Sequence, residues 1–270
     1  MASPNPDEAL PLAIGITTLP SRIDRLRPTL DSLKAQTRRP DKIFLSLPRR
    51  SFREGRAYDR PAWLGEYEPL LEVVDCIEDW GPSTKLLGCL DRLTVPTCLV
   101  IADDDMRYRP EFLEGLYRHQ CADPRSSFSY WTYRYGPFTI GQGADGFSFH
   151  SPNLAGIRPF AERALRCQAL RLMDDIWISA FLMRHGVSIK SLNALVEGAR
   201  TIYEPAHAVN QLSAVEGKLG RGAVMIAGAR HLQESGLMGR RAQAMALLKK
   251  AYRGGRSLLR GAAAAPKRLR

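Results

Sequence analysis

The sequence predicts an α/β fold built on a mostly parallel central sheet. Three observations predict it. Short apolar, partly β-branched runs recur along the chain, and stretches with helical spacing lie between them. The first strand, helix and strand also fit within about forty residues, the size of a βαβ unit, whose parallel strands need a crossover connection. A chain of 270 residues has room for one large domain of this kind, or for one domain and an appendage.

The elements follow in order. Leu12-Ala-Ile-Gly-Ile16 predicts a buried strand that opens into the loop Thr17-Thr18-Leu19-Pro20. Ser21 is the expected N-cap of a helix whose apolar stripe is Ile23, Leu26, Leu30 and Leu33. Pro40 introduces a second strand, Lys42 to Leu47, and Pro48 to Leu64, rich in Arg, Pro and Gly, is expected to be a mobile loop. Leu71 to Ile77 predicts a third strand and Ser83 to Leu93 a helix. Thr97 to Ala102 carries the strongest buried-strand signal and runs straight into Asp103-Asp104-Asp105. Pro110 suits the first turn of a helix reaching about His119. Ser127 to Tyr135 is aromatic and β-prone, and Gly136 to Gly156 is glycine-rich and loop-like. Ala161 to Gln168 and Asp174 to His185 predict helices, the second stopped by Gly186.

Composition narrows the function classes. The net charge of +11 suggests nucleic acid until it is located: residues 240–270 hold ten Lys or Arg and no acid, which leaves 29 bases against 28 acids in the rest. A nearly neutral body argues against a folded basic face for DNA or RNA, so no nucleic-acid partner is expected. No apolar run approaches the roughly eighteen residues of a membrane-spanning helix. The first ten residues lack the basic and apolar regions of a signal peptide. Five cysteines without a CxxC pair read as reduced thiols, and a cytoplasmic location is expected.

Three consecutive aspartates at the end of an apolar strand are the central chemical signal. Open α/β sheets bind ligands at the carboxyl ends of their strands. Adjacent carboxylates repel unless a cation or hydrogen-bond donors compensate them. In an extended backbone Asp103 and Asp105 would point to the same side, and two carboxylates with substrate phosphates are a usual setting for Mg²⁺ or Mn²⁺. The alternative is a solvated acidic turn that caps the helix near Pro110. Asp174-Asp175 opens a helix, where acids are also favoured by the helix dipole alone.

Four segments together, Ile16-Thr-Thr-Leu-Pro-Ser-Arg22, Gly81-Pro-Ser-Thr-Lys85, Ile101-Ala-Asp-Asp-Asp105 and Met173-Asp-Asp-Ile-Trp177, resemble the bacterial GT-A glycosyltransferases. The resemblance is to the glycosyltransferase family 2-like group and its exostosin-like relatives, and spans residues 12 to 235. It implies a Rossmann-like nucleotide-sugar half and an acceptor half, with Mn²⁺ or Mg²⁺ held by Asp103 and Asp105 and with His207 as a possible third ligand. It implies that Thr17, Thr18, Arg22, Lys85 and Asp104 bind the donor, a UDP-sugar first, with Lys85 near its diphosphate. Asp175 would be the base for the acceptor hydroxyl and Asp174 its orienting partner. The loop Gly141-Gln-Gly-Ala-Asp145-Gly146 resembles the segment beneath the donor sugar. The QxxRW motif of processive synthases is missing, so transfer of a single sugar in cell-surface glycan assembly is expected.

Two further readings come from the residues themselves. Phe128, Tyr130, Trp131, Tyr133 and Tyr135 could stack on sugar rings, although strand alternation would leave half of them in the core. Residues 1–236 are expected to form the catalytic domain and 237–270 a basic amphipathic or disordered tail. Each Lys or Arg of that tail would add on the order of 1 kcal/mol near anionic lipid, which suits a lipid-linked acceptor at the inner membrane face. The competing classes are a sugar-phosphate nucleotidyltransferase and a non-enzymatic protein binding membrane or nucleic acid through its tail. Thr17 to Ser21 lacks the Gly-rich basic loop expected of the former.

Overall fold

The computed structural model describes residues 10–135, 138–194, 202–209 and 221–238. The basic segment 240–270 lies outside the described residues. Leu237 and Met238 are buried in the core, so the packed body reaches at least Met238.

The first half runs β1 (Leu12–Ile16), α1 (Arg27–Lys34), β2 (Lys42–Pro48), β3 (Leu71–Cys76), α2 (Thr84–Leu87), β4 (Cys98–Ile101), β5 (Met106–Tyr108) and α3 (Phe112–Ala122). The second half runs β6 (Ser126–Ser129), β7 (Thr132–Tyr135), β8 (Phe138–Gly141), β9 (Phe147–His150), α4 (Ile157–Ala164), α5 (Gln168–Leu172), α6 (Asp174–Arg184), β10 (Ser188–Ser191), β11 (Tyr203–Pro205) and α7 (Arg221–Glu234).

Seven strands form the central sheet in the order β10-β6-β9-β4-β1-β2-β3. All neighbours are parallel except at β9, which runs against β4 and β6. Two small antiparallel pairs, β5 with β11 and β7 with β8, stand beside it. Strand alternation divides the core. Leu12, Ile14 and Ile16 pack with α1 and α3 on one face, and Ala13, Leu99, Ile101, Phe147 and Phe149 pack with α4 and α6 on the other. Helix α6 is buried almost all round, including the whole of Trp177. Among the described residues no helix is long and apolar enough to cross a membrane.

Several expected boundaries are corrected. Ser21 caps no helix; its backbone N–H and hydroxyl both donate to Glu54, and α1 starts after a 3₁₀ turn with Leu26 as N-cap and a proline in its first turn. That contact with Glu54, together with the Tyr58 hydroxyl donating to the Thr18 carbonyl, ties the loop Pro48 to Leu64 down onto the first strand's loop. The helix expected over Ser83 to Leu93 is broken into α2 and a 3₁₀ turn. Its interruption is at Gly88, where a Cβ would lie 2.5 Å from the Ser46 side chain of β2. Within the expected loop Gly136 to Gly156 lie two strands, because Phe138 and Ile140, like Phe147 and Phe149, alternate into the core. The helix expected over Ala161 to Gln168 is replaced by α4 and α5 on either side of a break.

Candidate active site

The chain passes from β1 to β2 to β3 on one side and then crosses to β4 on the other, so the strand order reverses between β1 and β4. At such a switch point the connections leaving the strand ends diverge and open a crevice. Here the crevice is a cavity of about 440 Å³. Its floor is the loop after β1, with Thr17 and Thr18, and the loop after β4, with Asp103, Asp104 and Asp105.

The triple aspartate is not extended. The backbone turns at Asp104 and Asp105 before β5, so the alternation expected of a strand does not apply, and the three carboxylates take different partners. Asp104 is buried and committed internally: it accepts from the Thr18 hydroxyl at 2.5 Å and from Arg22 at 2.6 Å. Asp105, also buried, lies 3.4 Å from the same guanidinium. Asp103 is partly exposed and takes Lys85 Nζ at 2.7 Å; its backbone N–H is held by the Tyr108 hydroxyl. Arg22 is therefore neither a solvated helix residue nor an open phosphate arm. It is a buried counterion, further fixed by donation to the Val209 carbonyl.

Lys85 is the second buried cation, only 3% exposed. A side chain at Gly15 is excluded, because its Cβ would sit 2.2 Å from the Lys85 carbonyl; the bare glycine lets α2 lie against β1. The Trp177 indole donates to Ser83 Oγ at 3.0 Å, which fastens the start of α2 to α6. Lys85 Nζ is thereby placed 2.7 Å from Asp103 and 3.1 Å from Asp174, the first residue of α6. Asp175, next to it, accepts from the Gly143 backbone N–H at 2.9 Å. Burial, then the Asp174 charge, hold the Asp175 carboxyl well above the usual carboxylate range, against the pull of Lys85. For Lys85 burial alone would favour the neutral amine, but Asp103, Asp174 and Asp175 outweigh it and keep the group a firmly held ammonium.

Among the described residues, seven aspartates and three basic side chains line this cavity. The surplus acid raises Asp105 to about 7, through burial first and then Asp103 and Asp104. It raises Asp145 to about 6, through burial and Asp103. Such carboxylates fit a hard divalent cation, whose oxygen ligands they would supply. No three His, Cys, Asp or Glu side chains among the described residues converge into a preformed metal cluster. One or two carboxylates completed by substrate phosphates need no such cluster. A pH dependence follows. The folded-state values of Asp105 and Asp145 lie above their ordinary 3.8, so the folded protein binds protons more tightly than the unfolded chain. Their contribution to stability is full below about pH 4 and is lost as pH rises to about 7. Urea unfolding of the metal-free protein and of Asp105→Asn at pH 5.5, 6.5 and 7.5 measures it. The wild type should gain stability relative to the variant as pH falls, and parallel curves would contradict the assignment.

Thr17, Thr18, Arg22, Lys85, Asp103, Asp104, Asp105, Asp174 and Asp175 all line this one cavity. The threonine hydroxyls are spent inside the protein, Thr17 on the Ser46 carbonyl and Thr18 on Asp104, so donor contacts there fall to backbone groups and oxygen lone pairs. His207 is not among the lining residues. Its Nδ1 faces the Val209 N–H at 3.4 Å, and burial lowers its pKa. The aromatic cluster divides as alternation suggests: Phe128 and Tyr130 are core, whereas Trp131 is exposed. Sequence reasoning missed Arg53, Tyr58, Asp145 and Tyr203, which also line the cavity. Asp145 sits in a glycine-rich loop that signalled the site without singling it out, and Arg53 was one arginine among several in its loop.

The sequence matches no family model and no curated protein. The fold does match solved structures. A mannosyltransferase from Pyrobaculum calidifontis, PcManGT, in complex with GDP-Man and Mn²⁺, aligns with a TM-score of 0.53 over 93% of this chain and 82% of its own, at 15% identity. The mixed α/β architecture with its seven-stranded, mostly parallel sheet matches the Rossmann-like fold of that mannosyltransferase.

Proposed function

We propose that this chain is a glycosyltransferase that moves one sugar from a nucleotide-sugar donor to a hydroxyl acceptor. The observation that carries the reading is the joining, in one cavity at the switch point, of a triple aspartate and the Asp174-Asp175 pair through buried Lys85. In this reading the donor diphosphate binds at the Asp103–Asp105 end and the acceptor at the α6 end.

Mn²⁺ or Mg²⁺, held by Asp103 and Asp105, would neutralise the diphosphate as it leaves; His207, suggested by resemblance as a third ligand, is not among the residues lining the cavity. The chain's own residues do the rest. Arg22 fixes Asp104 and Asp105 so that the turn keeps its shape. Asp175, oriented by the Gly143 N–H, takes the acceptor hydroxyl's proton. The acceptor oxygen bonds to the anomeric carbon while the bond from that carbon to the diphosphate breaks, its electron pair leaving with the nucleotide. Asp145 and Tyr203, which line the same cavity, would meet the donor sugar. UDP-sugars remain the first donors to test, and the GDP-Man bound by the mannosyltransferase of similar fold adds GDP-mannose to the panel. The ten bases of residues 240–270 would hold the enzyme near a lipid-linked acceptor on anionic membrane.

Release of free nucleoside diphosphate from a panel of UDP- and GDP-sugars, with Mn²⁺ and with EDTA, tests the reading. Slow Mn²⁺-dependent hydrolysis of at least one donor is expected. A panel inert under both conditions, with and without simple sugar acceptors, would count against it.

A further inference from the structure

Lys85 holds one ammonium between two carboxylates that belong to opposite ends of the cavity. It donates to Asp103 Oδ1 at 2.7 Å. Asp174 Oδ2 lies 3.1 Å from the same nitrogen, yet this buried oxygen receives no hydrogen bond. The two facts are compatible: the distance makes a charge contact, while the ammonium is seated toward Asp103 and meets Asp174 Oδ2 at too poor an angle for a hydrogen bond. Asp174 is thus a buried acceptor beside an ammonium that is aligned on another carboxylate. Buried oxygens of this kind are costly to leave unmet and are rare without a reason. The surroundings leave Lys85 little other choice. A Cβ at Gly143 would lie 2.7 Å from its Nζ, so the glycine-rich loop closes over the ammonium, and the backbone of α2 is pressed on β1.

We infer that Lys85 is a positioning residue that couples the two ends of the site: a divalent cation taken up at Asp103 displaces the ammonium, which then turns to the waiting Asp174. The inference rests on the reading of Asp103 as a cation ligand. The signs of the single variants are those of any charge near a cation; what sets the coupling apart is that the Asp174 effect acts through Lys85 and is lost without it. Because Lys85 competes with the cation for Asp103, removing its charge strengthens cation binding. Because Asp174 draws Lys85 away, removing that carboxylate's charge weakens it, through Lys85.

The test is calorimetric titration of Mn²⁺ alone, without nucleotide, into the full chain and into Lys85→Met, Asp174→Asn and the double variant. Lys85→Met should bind Mn²⁺ roughly 10-fold more tightly, and Asp174→Asn several-fold more weakly, within the usual 5- to 150-fold scale of coupling between sites. In the Lys85→Met background the Asp174→Asn effect should vanish. An Asp174→Asn loss that persists unchanged in that background is a plain field effect and overturns the inference. So does unchanged or weaker Mn²⁺ binding by Lys85→Met. If Lys85→Met does not fold, Lys85→Gln, which keeps the stem and a donor but no charge, is read in the same way. Absence of Mn²⁺ binding by the wild type, both alone and with UDP or GDP, overturns the metal-binding reading itself as well.

Discussion

Asp175→Asn lowers glycosyl transfer by roughly 10²- to 10⁴-fold, the scale set by loss of a general base, and leaves donor affinity little changed. The amide keeps the shape of the side chain and can still accept the Gly143 N–H bond through its oxygen. It cannot take a proton. Asp175 lies at the α6 end, where Lys85 and Asp174 separate it from the triple aspartate. The loss should therefore fall on kcat with the acceptor saturating, while titration of nucleoside diphosphate and Mn²⁺ gives the wild-type Kd. Equal losses in turnover and in donor affinity would make Asp175 a binding or capping residue instead.

What the sequence made legible follows from where the physics is local. The strands β1, β2, β3 and β4 were readable because each is a short apolar run bounded by turn residues, and the burial of Leu12, Ile14, Ile43, Leu45 and Val100 accounts for the pattern. The stripe Ile23, Leu26, Leu30 and Leu33 is fully packed even though its first turn is 3₁₀ rather than α. What failed depended on distant partners. The close approaches of Gly88 to Ser46 on β2 and of Gly15 to the backbone of α2 join segments distant in sequence; neither leaves a trace within its own segment. The central antiparallel strand β9 was hidden in a glycine-rich stretch. At the site, the residue types were legible and their pairings were not. Lys85 was expected near a diphosphate and Arg22 near a phosphate, yet each is a buried counterion of an aspartate remote in sequence. Asp103 and Asp105 are not held by strand alternation because the strand ends before them, a boundary that periodicity fixes poorly.

Asp105→Ala abolishes metal-dependent donor binding and leaves the fold intact. The carboxylate sits in the turn after β4, and Arg22 keeps Asp104 as its partner when Asp105 is gone. The backbone bond from the Ala206 N–H to the Asp105 carbonyl, which joins this turn to the segment after β11, does not involve the side chain. Removing a carboxyl that the site holds at about 7 relieves repulsion, so the metal-free variant should be at least as stable as the wild type at pH 8. The loss should appear only with the ligand. Calorimetric titration of UDP and of GDP, each with Mn²⁺ and with EDTA, into wild type and Asp105→Ala is the direct measurement. The wild type should bind at least one of the two nucleotides with Mn²⁺ and not with EDTA, and the variant should bind neither. Mn²⁺-dependent affinity undiminished in Asp105→Ala, or wild-type nucleotide binding indifferent to EDTA, would contradict a cation-held diphosphate at the end of β4.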